Sequence, residues 1–218
     1  VSKSRSEAEQ RTIYFIGGAP RTGKSTVALK FISKNPIVAA STDSIRAVAK
    51  NLLNSEVNPE LHRVGRGSLS FEEEFKKILA NPQKNLESQI KESQQVWKSV
   101  LKFIFSQFEY GQDMLIEGVA ILPEEIAKLK LNSKLNIKAI FLIGDENNTE
   151  EIIKHATQNP HDWLHKYNKN QLTAFCELNQ YSHNYYKSEA QKYGFKVIKI
   201  DSKKFKESAE DASKELLK

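Results

Sequence analysis

The sequence predicts an α/β fold: three layers, built on a five-stranded, mainly parallel sheet with helices on both faces and a small helical lid. Three observations lead there. Short apolar runs rich in β-branched and aromatic residues alternate with stretches of helical periodicity along the whole chain. No repeat of fixed period and no linker rich in Pro, Gly or Ser interrupts that alternation. Strands separated by helices in this way connect by right-handed crossovers into a parallel sheet.

The strand-like runs are "TIYFIG" (12–17), "PIVAAS" (36–41), "DMLIEG" (113–118), "IKAIFLIG" (137–144) and "FKVIKID" (195–201). Helices follow the first two in "STVALKFISK" and "SIRAVAKNLLN". A long helix runs through "LESQIKESQQVWKSVLKFIFSQF", where Leu86, Ile90, Trp97, Leu101, Ile104 and Phe108 recur on one face as a core stripe. In "LPEEIAKLK", Pro123 suits a first helical turn, with acids behind it to complement the helix dipole. The last long helix, about 170 to 193, presents Leu172, Phe175, Cys176, Tyr186 and Ala190 on one stripe and stops at Gly194. His183 and Asn179 share that stripe, as interior polar groups with hydrogen-bond partners. In parallel sheets ligands gather outside the carboxyl ends of the strands, here Gly17–Gly18, Thr42–Asp43, Glu117–Gly118, Gly144–Asp145 and Asp201.

Composition bounds the partners. With 39% hydrophobic and 28% charged residues the chain has the make-up of an ordinary globular protein. No stretch approaches the roughly 20 apolar residues of a membrane span, and the first dozen residues have neither the apolar centre nor the cleavage site of a secretory signal. A lone Cys176 excludes an internal disulfide and a multi-cysteine zinc site, which fits a cytoplasmic location. The formal net charge of +6 favours anionic partners. Much of the lysine is interspersed with acids near the C-terminus, so it reads as a solvated helix face more than a nucleic-acid stripe.

Residues 17–26, "GGAPRTGKST", satisfy G-x-x-x-x-G-K-[ST] in full through Gly18, Ala19, Pro20, Arg21, Thr22, Gly23, Lys24 and Ser25, with Thr26 next. A strand leads in and a helix leads out, as the pattern requires. Such a loop turns successive amide N–H groups onto phosphate oxygens, and the opening helix adds free donors and a positive dipole end. Lys24 then reaches the β and γ oxygens, and Ser25 ligates magnesium. The pattern does not choose between transfer and hydrolysis. No Asn-Lys-x-Asp guanine reader appears in "FLIGDENN", and "DMLIEG" ends in Glu117 and glycine where motor ATPases carry Asp-Glu. Asp113, at the entering end of the same strand, should be remote from the phosphates. In "STDSIR", Asp43 emerges from a strand beside the loop, where a carboxylate can take the proton of an acceptor hydroxyl, and Arg46 one turn on can clamp an anionic group. The competing role for Asp43 or Ser44 is to cap the following helix.

Taken together, "GGAPRTGKSTVALKF", "STDSIRAV", "NPELHRVGRGSLSFEEE", "NLESQIKESQQVWKSVLKFI" and "GQDMLIEGVAILPEEI" resemble the 2-phosphoglycerate kinase family, within the small-molecule kinases built on the phosphate (P-) loop. The likeness covers about the first 130 residues. It implies a kinase-like P-loop NTPase fold, a single domain over 1–218 with a helical acceptor-side insertion about 52–85 and a lid about 145–170. It implies ATP- and Mg2+-dependent transfer to a hydroxyl of a small, anionic acceptor. Carried over, it assigns nucleotide contacts to Gly18, Gly23, Lys24 and Ser25, acceptor chemistry to Asp43 and Arg46, acceptor contacts to His62 and Arg63, and a place near magnesium or acceptor to Glu117. A kinase of nucleic-acid ends or nucleotide-sugars, and a non-catalytic ATP sensor, are the alternatives.

The lid departs from that pattern. Kinases of this group place arginines there, and this sequence has none after Arg66. Its cationic candidates are Lys154, His155, His161, His165, Lys166 and Lys169. Lysine lacks the planar fork that grips two oxygens, so Arg21, Arg46 or Arg63 would have to supply the charge from elsewhere. "HDWLH" puts His161 and His165 four apart in an expected short helix starting at Asn159–Pro160, formally a metal-ligand spacing, but a structural or lid role suits it better than zinc.

Overall fold

The computed structural model describes residues 11–62, 76, 80–133, 135–145, 148–162 and 164–218. Five strands, β1 (Thr12–Gly18), β2 (Val38–Ser41), β3 (Met114–Glu117), β4 (Asn136–Gly144) and β5 (Lys196–Ile200), form one sheet in the order β2-β3-β1-β4-β5. All four pairings are parallel, so the expected sheet has no antiparallel member. The central strand β1 pairs Ile13 with Met114 on one side and with Ile137 on the other. β2 starts two residues later than its apolar run suggests. Pro36 has no N–H for the ladder, and on this edge the Val38 N–H donates to Asp113 O at 3.3 Å.

The helices are α1 (Lys24–Ile32), α2 (Thr42–Leu52), α3 (Pro82–Tyr110), α4 (Pro123–Asn132), α5 (Asn148–Gln158), α6 (Lys169–Lys192) and α7 (Phe205–Glu215). Alternation along β1 sorts them onto two faces. Ile13 and Phe15 point into a core with Val96, Trp97, Val100 and Ile104 of α3, and Phe15 meets Trp97 at a ring-centroid distance of 5.8 Å. Ile16 points the other way, into Val27 and Phe31 of α1 and Ala209 and Ala212 of α7. Each fully buried large apolar side chain contributes about 1.5–3 kcal/mol, so β1 is anchored from both sides and carries the glycine loop on a rigid base.

The local signals read in the sequence have physical counterparts. Pro123 opens α4. Asn168 and Gln171 form a reciprocal cap at the start of α6, and Gly194 follows its end with φ 72°. His183 and Asn179 are buried on the inner stripe of α6, where the Gly144 N–H donates to His183 Nδ1 and Asn179 Nδ2 donates to Pro20 O. Asp113 sits at the amino edge of the sheet and accepts from the Thr12 N–H at 2.8 Å, far from the loop.

The stretch expected to form the lid packs with α6 around a separate small core of Ile152, Ala156, Leu164, Leu172 and Cys176. Where a short helix is expected at "HDWLH", the described residues on either side of position 163 form tight turns, with Asp162 N–H bonded to Asn159 O and His165 N–H to Asp162 O. Asp162 is the cause: its Oδ1 accepts from the Leu164 N–H, which a helix would send to a backbone carbonyl. His165 bonds through Nδ1 to Ala156 O, so the helical spacing of the two histidines does not exist. On the acceptor side a single 3₁₀ turn spans Glu60–His62. Arg63 and much of the expected insertion lie outside the described residues. Among the described residues no helix is long and apolar enough to cross a membrane.

Candidate nucleotide and acceptor site

The glycine loop leaves β1 at Gly18, whose φ is 130° and where a Cβ would stand 2.1 Å from Leu142 O. Only glycine lets the loop base lie this close to β4. The next residue, Ala19, ties the loop down: its N–H donates to Leu142 O at 3.2 Å, and its carbonyl accepts from Thr22 Oγ1 at 2.9 Å and from Lys24 Nζ at 2.7 Å. The Ala19 amide is therefore spent on the sheet. Phosphate-directed donors come from further along, where the first N–H groups of α1 lack intrahelical partners. Gly23 is the N-cap of α1 and packs under the ring of Phe205.

Lys24 is buried, and burial pushes its ammonium down to about 8 against the pull of the Glu117 and Asp43 carboxylates. Glu117 is raised, first by burial, then by Asp43, while Lys24 and the Ser25 hydroxyl lower it. These three charges thus feel one another across a single cleft. Ser25 Oγ donates to Glu117 Oε1 at 3.1 Å. A hydroxyl and a carboxylate are the hard oxygen donors magnesium takes, and two protein oxygens leave room for phosphate oxygens and water. The pair fits that ion. Among the described residues no cluster of three or more His, Cys, Asp or Glu could hold a metal unaided, so such an ion would depend on the nucleotide.

Asp43 owes its place to two neighbours. Ser41, and not Asp43 or Ser44, caps α2 by accepting the Ser44 N–H at 3.1 Å, which leaves the Asp43 carboxylate exposed at the cleft. Gly118, with φ 142°, lets α2 press against the end of β3: a Cβ there would stand 1.9 Å from Thr42 Oγ1. Thr42 is fully buried and its Oγ1 accepts from the Ala120 N–H at 3.4 Å.

Two cavities meet here. A cleft of about 760 Å³ is lined by Lys24, Ser25, Thr26 and Glu117, together with Ser202, Phe205 and Glu151, Ile152 and His155 of α5. A second cavity of about 310 Å³ lies between α2, α3 and α6. Pro20, Asp43, Arg46 and Val119 line both. Arg46 donates through Nε to Glu92 Oε1 of α3. His62 lies apart: its Nε2 bonds Leu53 O at 2.9 Å, and it lines neither cavity.

The loop arginine is engaged by Asp162 and His155. Arg21, in the left-handed region with φ 63°, contacts Asp162 Oδ2 at 2.5 Å and Oδ1 at 3.3 Å, and His155 Nδ1 lies 2.8 Å from the same carboxylate. Burial raises the Asp162 pKa, but bonds from the Leu164 N–H, His155 and Arg21 outweigh it and hold the carboxyl below its usual range. Of the lid cations anticipated from sequence, His155 lines the cleft, whereas Lys154 is paired with Glu151 at 3.6 Å. Sequence reasoning missed Glu92, Asp162 and Phe205. Glu92 looks like any solvated helix acid, and no local pattern announces its partner 46 residues away.

No family profile and no curated protein matches the chain. Solved structures do. Shikimate kinase from Bacteroides thetaiotaomicron superposes with a TM-score of 0.53 at 12% identity, over 95% of this chain and 99% of that one. A Thermus thermophilus protein gives 0.50 at 13%, over 96% and 97%. The fold is that of a P-loop kinase. A dephospho-CoA kinase from Campylobacter jejuni, at 17% or below like its companions, shows 16% identity and a TM-score of 0.45 over 94% and 96%. The first two likenesses carry the fold; they show neither the 2-phosphoglycerate kinase family nor an acceptor.

Proposed function

We propose that the protein is a small-molecule kinase, transferring the γ-phosphoryl group of ATP to a hydroxyl of an acceptor held between α2, α3 and α6. One observation carries this reading: the phosphate cleft and the acceptor cavity open onto each other at Asp43, Arg46, Pro20 and Val119. The triphosphate rests on the free amides at the start of α1 and on the Lys24 ammonium, a preorganised positive cup. Ser25 and Glu117 would hold magnesium, which would supply charge neutralisation on the β and γ groups. Asp43 accepts the proton of the acceptor hydroxyl while its oxygen bonds to the γ-phosphorus and the bond to the departing ADP oxygen breaks. The whole chain works as one kinase domain in this reading, with residues about 145–170 as the lid.

The test is ATP-dependent labelling of a metabolite extract beside total RNA, with the wild type, Lys24→Ala and Asp43→Asn. Asp43→Asn is expected to lower transfer by about 10²- to 10⁴-fold with ATP affinity within about threefold of wild type. Undiminished transfer in that variant removes Asp43 from the chemistry, and label entering RNA alone replaces the small acceptor with a nucleic-acid end.

A further inference from the structure

The backbone of the glycine loop is under strain at one residue, and the side chain there carries an inference that rests on the nucleotide half of the kinase reading. Arg21 holds φ 63°, a left-handed conformation that glycine adopts freely and other residues adopt at a cost. Glycine would serve the backbone better at this position. What arginine contributes must therefore lie in its guanidinium.

That group is held from behind. Asp162 accepts from Arg21 Nη1 at 3.3 Å and from Nη2 at 2.5 Å, and His155 Nδ1 lies 2.8 Å from its Oδ2. The Asp162 side chain is 1% exposed and lines neither cavity, whereas Arg21 and His155 both line the phosphate cleft. Asp162 is itself fixed, because its Oδ1 also accepts the Leu164 N–H. The loop backbone is tethered as well, since Asn179 Nδ2 of α6 donates to Pro20 O at 2.9 Å, one residue before Arg21. Pro20 lines both cavities, so Arg21 follows directly on the place where a nucleotide tail would meet an acceptor.

An ion pair with a buried carboxylate is weak evidence for stability, because apolar side chains of similar volume often do as well. A guanidinium fixed at the wall of a phosphate cleft is, by contrast, preorganised for an anion. Among the described residues the Arg21 Nε makes no hydrogen bond, so the fork keeps a donor for oxygens in the cleft.

We infer that Arg21 binds the terminal phosphate of the nucleotide, and that Asp162 is the positioning residue that aims it, reaching the glycine loop from 141 residues downstream.

The test is calorimetric titration of the full chain with Mg·ADP and with the magnesium complex of a β,γ-imido ATP analogue. Arg21→Gly removes the guanidinium and relieves the backbone, and Arg21→Lys keeps a cation beside Asp162 without the planar fork. The analogue is expected to bind about 10- to 100-fold more weakly to Arg21→Gly and at least about threefold more weakly to Arg21→Lys, with ADP within about threefold of wild type in both. Asp162→Asn, whose amide oxygen can still accept the Leu164 N–H, is expected to show a selective loss of at least about threefold and to add nothing in an Arg21→Gly background. Affinities for the two nucleotides that are unchanged or equally reduced, or additive effects of the two substitutions, overturn the inference and leave the kinase reading standing. Tighter analogue binding by Asp162→Asn also overturns it, since the carboxylate then withholds Arg21 from phosphate. Selective, coupled losses with no phosphoryl transfer to any acceptor keep the inference and overturn the kinase reading instead. A wild type that binds neither nucleotide overturns both.

Discussion

Gly118→Ala tests whether contact between β3 and α2 sets the site. The new methyl group would stand 1.9 Å from Thr42 Oγ1 and 3.0 Å from Thr42 Cβ, against a side chain that is 0% exposed and has no route to solvent. Overpacking of this kind costs about 1–3 kcal/mol, and holding alanine at φ 142° costs about 1–3 kcal/mol more. The sum, roughly 2–6 kcal/mol, is a large share of a typical folding stability of about 5–15 kcal/mol. Urea unfolding of the single and double variants separates the two contributions. Thr42→Ala removes the Oγ1 that the methyl group meets, so Gly118→Ala should cost at least ~1 kcal/mol less in that background than in the wild type, a coupling within the range for touching residues. The backbone part should persist. A Gly118→Ala protein within about 0.5 kcal/mol of wild type, or a double variant showing no coupling, refutes the idea that this close approach holds Asp43 beside Glu117.

Two further outcomes follow from the charged groups. Because the free Lys24 titrates near 8 and phosphates favour its charged form, ATP binding at about pH 9 should take up close to one proton; calorimetry in buffers of different ionisation enthalpy reads this, and Lys24→Met should abolish it. Asp162 has a folded pKa below its ordinary value, so its contribution is present above the unfolded pKa and lost as pH falls through the folded one; Asp162→Asn should lower stability at neutral pH by about 1–3 kcal/mol, discounted for the partial exposure of Arg21, and flatten the acid limb of a stability-versus-pH curve.

The sheet was legible because each strand is a short apolar run, and in β1, β3 and β4 those residues have two buried faces to satisfy; the loop was legible because strand, glycines and helix must follow in that order. Asp43 and Glu117 stood out because strand ends in a parallel sheet are where ligands bind. The Arg46–Glu92 and Arg21–Asp162 pairs were not legible, since each joins residues separated by 46 and 141 positions through nothing but the final packing. The "HDWLH" segment misled for a local reason. Helical spacing of histidines says nothing about an aspartate that turns back on its own backbone.

Placing β1 at the centre of the sheet has a consequence for biosynthesis. Its neighbours β3 and β4 lie roughly 100 or more residues downstream, so neither of its edges can be covered while the first half of the chain is emerging. At a synthesis rate of about 5–20 residues per second, this central, buried strand waits on the order of 5–20 seconds for a partner. Over that interval "TIYFIGG" is an unprotected adhesive segment, and a growing chain held away from other nascent chains should give a higher yield of native protein than one refolded at high concentration.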